Sequence, residues 1–166
     1  MNRQDFLIAL FLALEKQNLY QKEIADRLKI SRSTVSYAMN RLIKLKLINE
    51  ETQQVMVHSL LDFIKYAIHL VYPTEIGSKV RGVPTALSGP ILNKLIPTED
   101  KFVWKSDKGT IIGQEIKPLY DSVPDLVKTE PALYKVLSLI DAVRTGNSRE
   151  KDIANKELKT ILSKTK

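Results

Sequence analysis

The sequence predicts a mainly α-helical protein with short β-hairpins, in which a small N-terminal helical unit precedes a mixed, mostly helical C-terminal region. Three observations favour this class. Apolar residues recur at helical spacing in several segments. Two runs rich in β-branched and apolar residues are each interrupted by a polar turn. The 43% hydrophobic content of the 166 residues is enough for a packed core and excludes a mostly disordered chain. We place the N-terminal unit at residues 1–58 and the C-terminal region at residues 59–166.

The N-terminal unit is predicted to contain three helices, at residues 4–17, 21–28 and 31–46. The first contains nine consecutive apolar residues, Phe6 to Leu14. A membrane span needs about 20, and the small-residue cleavage site of a secretory signal is missing after this run. We therefore expect a helix buried on most sides, in part by a second subunit, in a cytoplasmic protein. Ser31 is the expected N-cap of the third helix.

The elements after residue 46 are predicted from turn and breaker residues. Leu47–Asn49 should pair with Gln54–Val57 in a hairpin, and a helix at 59–71 should end before Pro73. Residues 73–90 contain three of the six glycines and three of the seven prolines, which predicts a long irregular loop. The remaining predicted elements are a short helix near 86–95, a second hairpin around the "SDKG" turn at 106–109, a helix at 131–145 opened by Pro131 and closed by Gly146, and a helix at 148–163 capped by Ser148.

Composition limits the chemistry of the protein. The formal net charge of +7 and the pI near 9.5 favour an anionic partner, with nucleic acid as the first candidate. The absence of cysteine excludes disulfides and thiolate metal sites, and only His58 and His69 could supply imidazole ligands. We expect His69 to be a hydrogen-bonded packing residue and Trp104 a core anchor. No nucleophile–base pair is evident, so we expect neither an enzyme nor a cofactor or metal.

The helix at 31–46 has two faces of different character. Its apolar residues fall within one arc of about 120°: Val35, Ala38, Met39, Leu42 and Leu45. The opposite arc consists of short polar and aromatic residues with cations at its edges: Arg32, Ser33, Ser36, Tyr37, Asn40, Arg41 and Lys44. A merely solvated face would favour Glu, Lys and Gln, whereas Ser, Tyr and Asn are mediocre helix formers. No acidic residue occurs between Ile30 and Ile48. These features favour a surface that contacts DNA, because an α-helix fits the major groove.

The stretch "QKEIADRLKISRSTVSYAMNRLIKLKLI" resembles the helix-turn-helix of bacterial winged-helix transcription regulators of the MarR-like kind. Ile24 and Ala25 match the apolar and small residues of the first helix, Leu28 and Ile30 bracket the turn, and "STVS" opens the second, "recognition" helix. The hairpin at 47–57 matches the wing. Lys29 replaces the glycine common at the turn, which other members also lack. The wing tip "NEETQQ" is acidic and should repel phosphate.

The resemblance covers residues 5–58 and implies a sequence-specific, double-stranded-DNA-binding transcription regulator with residues 31–46 in the major groove. Arg32, Ser33, Ser36, Tyr37 and Asn40 are expected to read base edges, with Thr34 beside them, and Arg41 and Lys44 to hold phosphates. Within the predicted loop, Lys79, Arg81 and Thr85 form a candidate contact for a small-molecule or protein effector.

The apolar surfaces of the first helix and of the 131–145 helix exceed what a three-helix core can cover, which predicts a homodimer. Two other classes remain open. An antitoxin-like or adaptor protein would bind a protein partner through its C-terminal half and use DNA binding for autoregulation. An enzyme in the 59–130 segment, tethered by DNA binding, would need a catalytic cluster that the sequence does not display.

Overall fold

The computed structural model describes residues 1–164, which form a mostly helical protein with one small sheet. The elements are α1 (Arg3–Leu14), α2 (Gln21–Leu28), α3 (Arg32–Lys44), α4 (Val57–Tyr66), α5 (Ile68–Val71), β1 (Ile76–Pro84), a short 3-10 helix (Ala86–Ser88), α6 (Leu92–Leu95), β2 (Phe102–Lys105), β3 (Ile111–Ile116), α7 (Val123–Leu126), α8 (Pro131–Thr145) and α9 (Ser148–Ser163). The predicted fold class is confirmed.

The first three helices lie where the sequence predicts them, although α1 ends at Leu14 instead of residue 17. Lys29 ends α2 in the left-handed conformation, with φ of 56°, which the glycine common at this turn would adopt at less cost. Ser31 caps α3, and its Oγ accepts a hydrogen bond from the Thr34 backbone N–H at 3.1 Å. The predicted apolar face of α3 is buried except for Leu45, which is 49% exposed because the helix ends at Lys44.

The wing is shorter than the predicted hairpin. Its ladder consists of one antiparallel bridge between Ile48 and Val55. The Asn49 side chain closes the turn, since its Oδ1 accepts hydrogen bonds from the backbone N–H groups of Glu51 and Thr52. Val57, assigned to the hairpin by the sequence, is the first residue of α4. The predicted 59–71 helix is interrupted at Ala67, which separates α4 from α5.

The prediction of an irregular loop at residues 73–90 is wrong, because Ile76–Pro84 forms β1, the longest strand among residues 1–164. The first part of β1 pairs with β3 and its last part pairs with β2, in both cases antiparallel. Strands β2 and β3 therefore run parallel to each other and close a three-stranded barrel. The predicted second hairpin is wrong in its pairing, since the "SDKG" turn carries the chain onward along β1 and does not reverse it.

Glycine makes this small barrel possible. Gly82 is paired with both Lys105 of β2 and Ile111 of β3. A Cβ atom at Gly82 would collide with the carbonyl group of Trp104, and one at Gly109 would collide with the backbone of Gly82. Gly82, one of the glycines that suggested a loop, is therefore required where strand backbones approach closely.

The last two helices follow the prediction closely. Helix α8 runs from Pro131 to Thr145, with Gly146 after it. Helix α9 covers Ser148–Ser163, but Asn147 is its N-cap in place of Ser148. Asn147 and Glu150 form a capping box, in which each side chain accepts a hydrogen bond from the other residue's backbone N–H.

Helix α1 packs between α3 on one side and α8 on the other, within one hydrophobic core. The α1 residues Phe6, Leu7, Ile8, Leu10 and Phe11 are at most 1% exposed in the single chain, and the apolar residues of α8 from Leu133 onward, except Tyr134, are buried as well. The chain itself thus covers both surfaces that suggested a second subunit. No helix within residues 1–164 has the length and apolar character needed to span a membrane.

Candidate nucleic-acid interface

The outward face of α3 is open to contact. Arg32, Ser33, Tyr37, Asn40 and Lys44 are exposed, and Thr34 and Ser36 are partly exposed. The side chains of Arg32, Tyr37, Asn40 and Lys44 have no hydrogen-bond or ion-pair partner within residues 1–164. Tyr37 is 64% exposed, a high value for an aromatic residue in the middle of a helix. The structure therefore leaves these predicted DNA-contacting groups, Lys44 for a phosphate and the others for bases, without competing contacts.

The first turn of α3 contains a small hydroxyl network. The Ser31 Oγ lies 2.9 Å from the Ser33 Oγ and 2.8 Å from the Thr34 Oγ1. It also accepts the hydrogen bond that caps the helix. Ser33 remains exposed at the edge of this network, whereas Thr34 is tied more closely to the cap.

Arg41 is engaged within the fold. Its Nε and Nη2 donate to the two carboxylate oxygens of Asp5 at 2.9 and 2.6 Å, and Asp5 is 0% exposed. These hydrogen bonds raise the pKa of the Arg41 guanidinium. The phosphate contact assigned to Arg41 stays a prediction. It would require the guanidinium to bind a phosphate and the Asp5 carboxylate at the same time. The pair fixes α3 to the N-terminal turn of α1.

The exposed cations near α3 can attract DNA phosphates over a distance, whereas the acidic tip of the wing cannot. Lys29, Lys44 and Lys46 are exposed, and none forms an ion pair within residues 1–164. Lys46 was not among the predicted contacts. The exposed wing tip carries Glu50 and Glu51, which make its potential unfavourable for phosphate.

The three candidate effector residues do not form one loop. Lys79 and Arg81 are exposed and lie two residues apart on β1, so they point to the same side of the strand. Thr85 is 0% exposed, and its hydroxyl donates to Asp141 at 2.8 Å. Thr85 is therefore out of reach of a surface ligand in this conformation, while the effector roles of Lys79 and Arg81 stay predictions.

Asp141 lies at the centre of a buried polar network that the sequence did not reveal. Its carboxylate accepts hydrogen bonds from Thr85, from Trp104 Nε1 at 2.5 Å and from Arg144 Nη1 at 2.7 Å. Trp104 is 1% exposed, so its prediction as a core anchor is confirmed. His69 is partly buried, but no hydrogen bond of its side chain is found within residues 1–164, so that part of its prediction is wrong. Residues 1–164 contain no group of three or more His, Asp or Glu side chains placed to bind a metal ion.

Residues 1–55 match the model of the MarR family. No curated protein and no solved structure matches the chain. The family match and the geometry of α2, α3 and the wing agree. Residues 1–55 are a MarR-like winged helix-turn-helix domain, which is a domain of DNA-binding transcription regulators.

Proposed function

We propose that the protein is a transcription regulator that recognises specific double-stranded DNA by inserting α3 into the major groove. The observation that carries this proposal is the face of α3: it is exposed, free of acidic residues and without internal partners at Arg32, Tyr37 and Asn40. Short side chains on this face allow the helix backbone to approach the bases closely. The N-terminal residues of recognition helices make such base contacts.

Individual roles follow from the chemistry of the side chains. Arg32 can donate two hydrogen bonds to guanine, and Asn40 can pair with adenine through two hydrogen bonds. Ser33 contacts a base from the first turn, and the hydroxyls of Ser36 and Tyr37 serve either a base or a phosphate. Lys44 contacts a phosphate where α3 leaves the groove, and we add the exposed Lys46 to this role. We assign Arg41 mainly to positioning α3 through Asp5.

The finer architecture is also proposed. Residues 1–58 bind DNA, and residues 59–166 dimerise and respond to a small-molecule or protein effector, in the cytoplasm, where such a regulator meets DNA. A homodimer would match operators with two half-sites about one helical turn apart. The apolar side chains of Tyr66, Leu70 and Val71 are exposed on α4 and α5 and offer a surface for a second copy. A monomeric mass of the folded protein in light scattering at micromolar concentration would contradict the dimer.

The DNA-binding proposal is tested by selecting bound sequences from a random duplex pool and then titrating the selected duplex at several salt concentrations. Arg32→Ala and Asn40→Ala should each cost roughly 1–3 kcal/mol on the selected site and little on random DNA. Lys44→Ala should weaken binding to both kinds of DNA alike and lower the slope of the salt dependence by about 1.

Lys94→Ala is the matched control, since Lys94 is exposed on α6, outside the winged helix. It should leave affinity and salt dependence unchanged. If the three α3 substitutions behaved like this control, α3 would be an ordinary solvated helix and the proposal would fail.

A further inference from the structure

The structure also contains a concave site that does not include α3. It is a cleft of about 430 Å³ where the start of α1 meets the paired ends of β1 and β3, with Ile76 opposite Ile116. We call it the charged cleft. Its ionisable and hydroxyl-bearing lining residues are Arg3, Thr74, Glu75, Glu115, Lys117 and Arg144. Both halves of the chain therefore contribute to one site.

Four charges on the walls of the charged cleft have no partner. Arg3 and Lys117 are cationic, Glu75 and Glu115 are anionic, and none of the four forms an ion pair within residues 1–164. Opposite charges thus line one concavity without neutralising each other by direct contact. A ligand with charges of both signs would meet complementary groups there.

Arg144 supplies a buried group with unused hydrogen-bonding capacity. Its side chain is 1% exposed, and Nε donates to the Tyr72 carbonyl at 2.9 Å. Nη1 donates to Asp141 Oδ1 at 2.7 Å and to the Lys117 carbonyl at 3.2 Å. Nη2 has no hydrogen-bond partner in the described part of the chain, although Arg144 lines the charged cleft. A guanidinium carries five donors, so the two on Nη2 remain for an acceptor in the cleft.

A residue of the charged cleft, Thr74, carries an unsatisfied hydroxyl. Its Oγ1 is buried, and no hydrogen-bond partner for it is found within residues 1–164. Such unsatisfied groups are rare because each carries the cost of its lost hydration. Thr74 lines the same cleft, but its buried oxygen would reach a polar ligand there only after rotation of the side chain.

We propose that the charged cleft binds a small zwitterion, a molecule that carries one carboxylate and one ammonium group, as a free amino acid does. The carboxylate accepts hydrogen bonds from Arg144 Nη2 and is attracted by Arg3 and Lys117. The ammonium faces Glu75 and Glu115. The volume lies within the range of about 300–1,000 Å³ that is usual for small-molecule sites. This activity goes beyond DNA binding and does not depend on it, because the ligand is measured on the protein alone.

The two glutamates argue for this class over a simple anion. A phosphate or dicarboxylate held by Arg144 would lie beside Glu75 and Glu115, and like charges within one cleft repel. An amine alone would leave the donors of Arg144 unused. Only a ligand with both groups uses both the cations and the carboxylates of the charged cleft.

The experiment uses the full chain and the proteinogenic amino acids as probes, each at millimolar concentration, in thermal unfolding followed by calorimetric titration. We expect at least one amino acid to raise Tm and to bind with saturation. The deaminated acid and the decarboxylated amine of that amino acid should each bind with an affinity lower by about tenfold or more, because each lacks one charge-assisted contact. Inorganic phosphate should not compete with it.

Two pairs of variants locate the site. Glu115→Gln and Lys117→Gln change charges of the cleft, and each should weaken binding of the amino acid about tenfold. Glu99→Gln and Lys94→Gln change exposed charges outside it and should have no effect. Arg144 is left intact because its ion pair with Asp141 is buried. The proposal is overturned if no amino acid binds, if phosphate or the deaminated acid binds equally well, or if both cleft variants retain full affinity.

Discussion

The ion pair between Arg41 and Asp5 gives one residue of α3 a part in stability. Asp5 is fully buried and also accepts the Asn2 backbone N–H at 2.9 Å, so its carboxylate belongs to the α1 cap as well. Replacing Arg41 with Leu leaves this carboxylate buried without its cation. We expect the free energy of unfolding to fall by about 2–3 kcal/mol, measured by urea titration.

Arg32→Leu is the matched control, because Arg32 lies on the same helix, is exposed and has no partner within residues 1–164. Its effect should stay within about 0.5 kcal/mol. Equal stability of the two variants would show that the Asp5 pair contributes nothing. The sequence could show that Arg41 flanks the polar face, but it could not show the pair, since Asp5 lies 36 positions away. The only local signal was an acid directly before the apolar run of α1.

Two tyrosines, the buried Tyr72 and the partly buried Tyr134, predict sensitivity to alkaline pH. Burial raises the pKa of Tyr72 and of Tyr134 to about 12, from the ordinary value near 10. Each hydroxyl donates to a backbone carbonyl, Tyr72 to Asn2 at 3.1 Å and Tyr134 to Pro84 at 2.7 Å. The folded state therefore favours the neutral form. This stabilisation is complete below pH 10 and is lost as pH rises through 12.

We expect the wild-type protein to lose up to about 2 kcal/mol per tyrosine between pH 9 and pH 12 from this source. In the variant with both Tyr72→Phe and Tyr134→Phe, the decrease in unfolding free energy over the same interval should be smaller. Tyr37→Phe, at an exposed position, should retain the wild-type decrease. The measurement is urea unfolding at each pH. The same decrease in unfolding free energy for all three proteins would contradict the prediction.

At the scale of elements, helices were predictable and the pairing of strands was not. Pro131 and Gly146 mark the ends of α8 locally, and its apolar spacing supplies the rest. Strand β1 has no such local signature, because Gly82 is explained only by β2 and by the 106–110 segment, which cross it closely. A segment rich in glycine and proline is interpreted as a loop when the sequence does not show which other strands pack against its backbone.

Gly82→Ala tests this account of the barrel. The new methyl group would overlap the Trp104 carbonyl, which is fixed by pairing between β1 and β2. We expect a loss of about 3 kcal/mol or more in unfolding free energy, at the upper end of overpacking effects. Gly77→Ala is the control, since its nearest neighbour would lie at an ordinary 3.4 Å from the new Cβ. Equal stability of the two variants would show that the strand backbones do not cross closely at Gly82.

At the scale of the whole molecule, α1 joins the winged helix to the C-terminal region. Its partner on one side is α3, and on the other side it meets α8. The Phe6 ring lies 5.4 Å from the Phe63 ring and 5.8 Å from the Tyr72 ring, measured between centroids. Arg27 of α2 also binds Glu130 through two hydrogen bonds of 2.8 and 2.7 Å. The DNA-binding unit is therefore held by contacts from residues beyond its own segment.

The sequence contained part of this result. The run Phe6–Leu14 correctly predicted a helix whose apolar surface is larger than the core of a three-helix unit can bury. It could not identify the covering surface, because a second subunit and a later part of the same chain would bury the same residues. Only the positions of Phe63, Tyr72 and α8 decide between them.

This packing predicts that residues 1–58 do not fold stably when expressed alone. The fragment would expose the side of Phe6 and its neighbours that α8, Phe63 and Tyr72 cover, and each large apolar side chain returned to water costs about 1.5–3 kcal/mol. A few such losses equal the whole stability of a typical domain, about 5–15 kcal/mol. We expect the fragment to show no cooperative thermal transition and to bind the selected duplex far more weakly than the full chain.

Adding residues 59–166 as a separate chain should restore both properties, because the missing contacts need not be covalently linked. A fragment that unfolds cooperatively and binds the duplex with full affinity would instead show that α1 needs only α2 and α3 for its core.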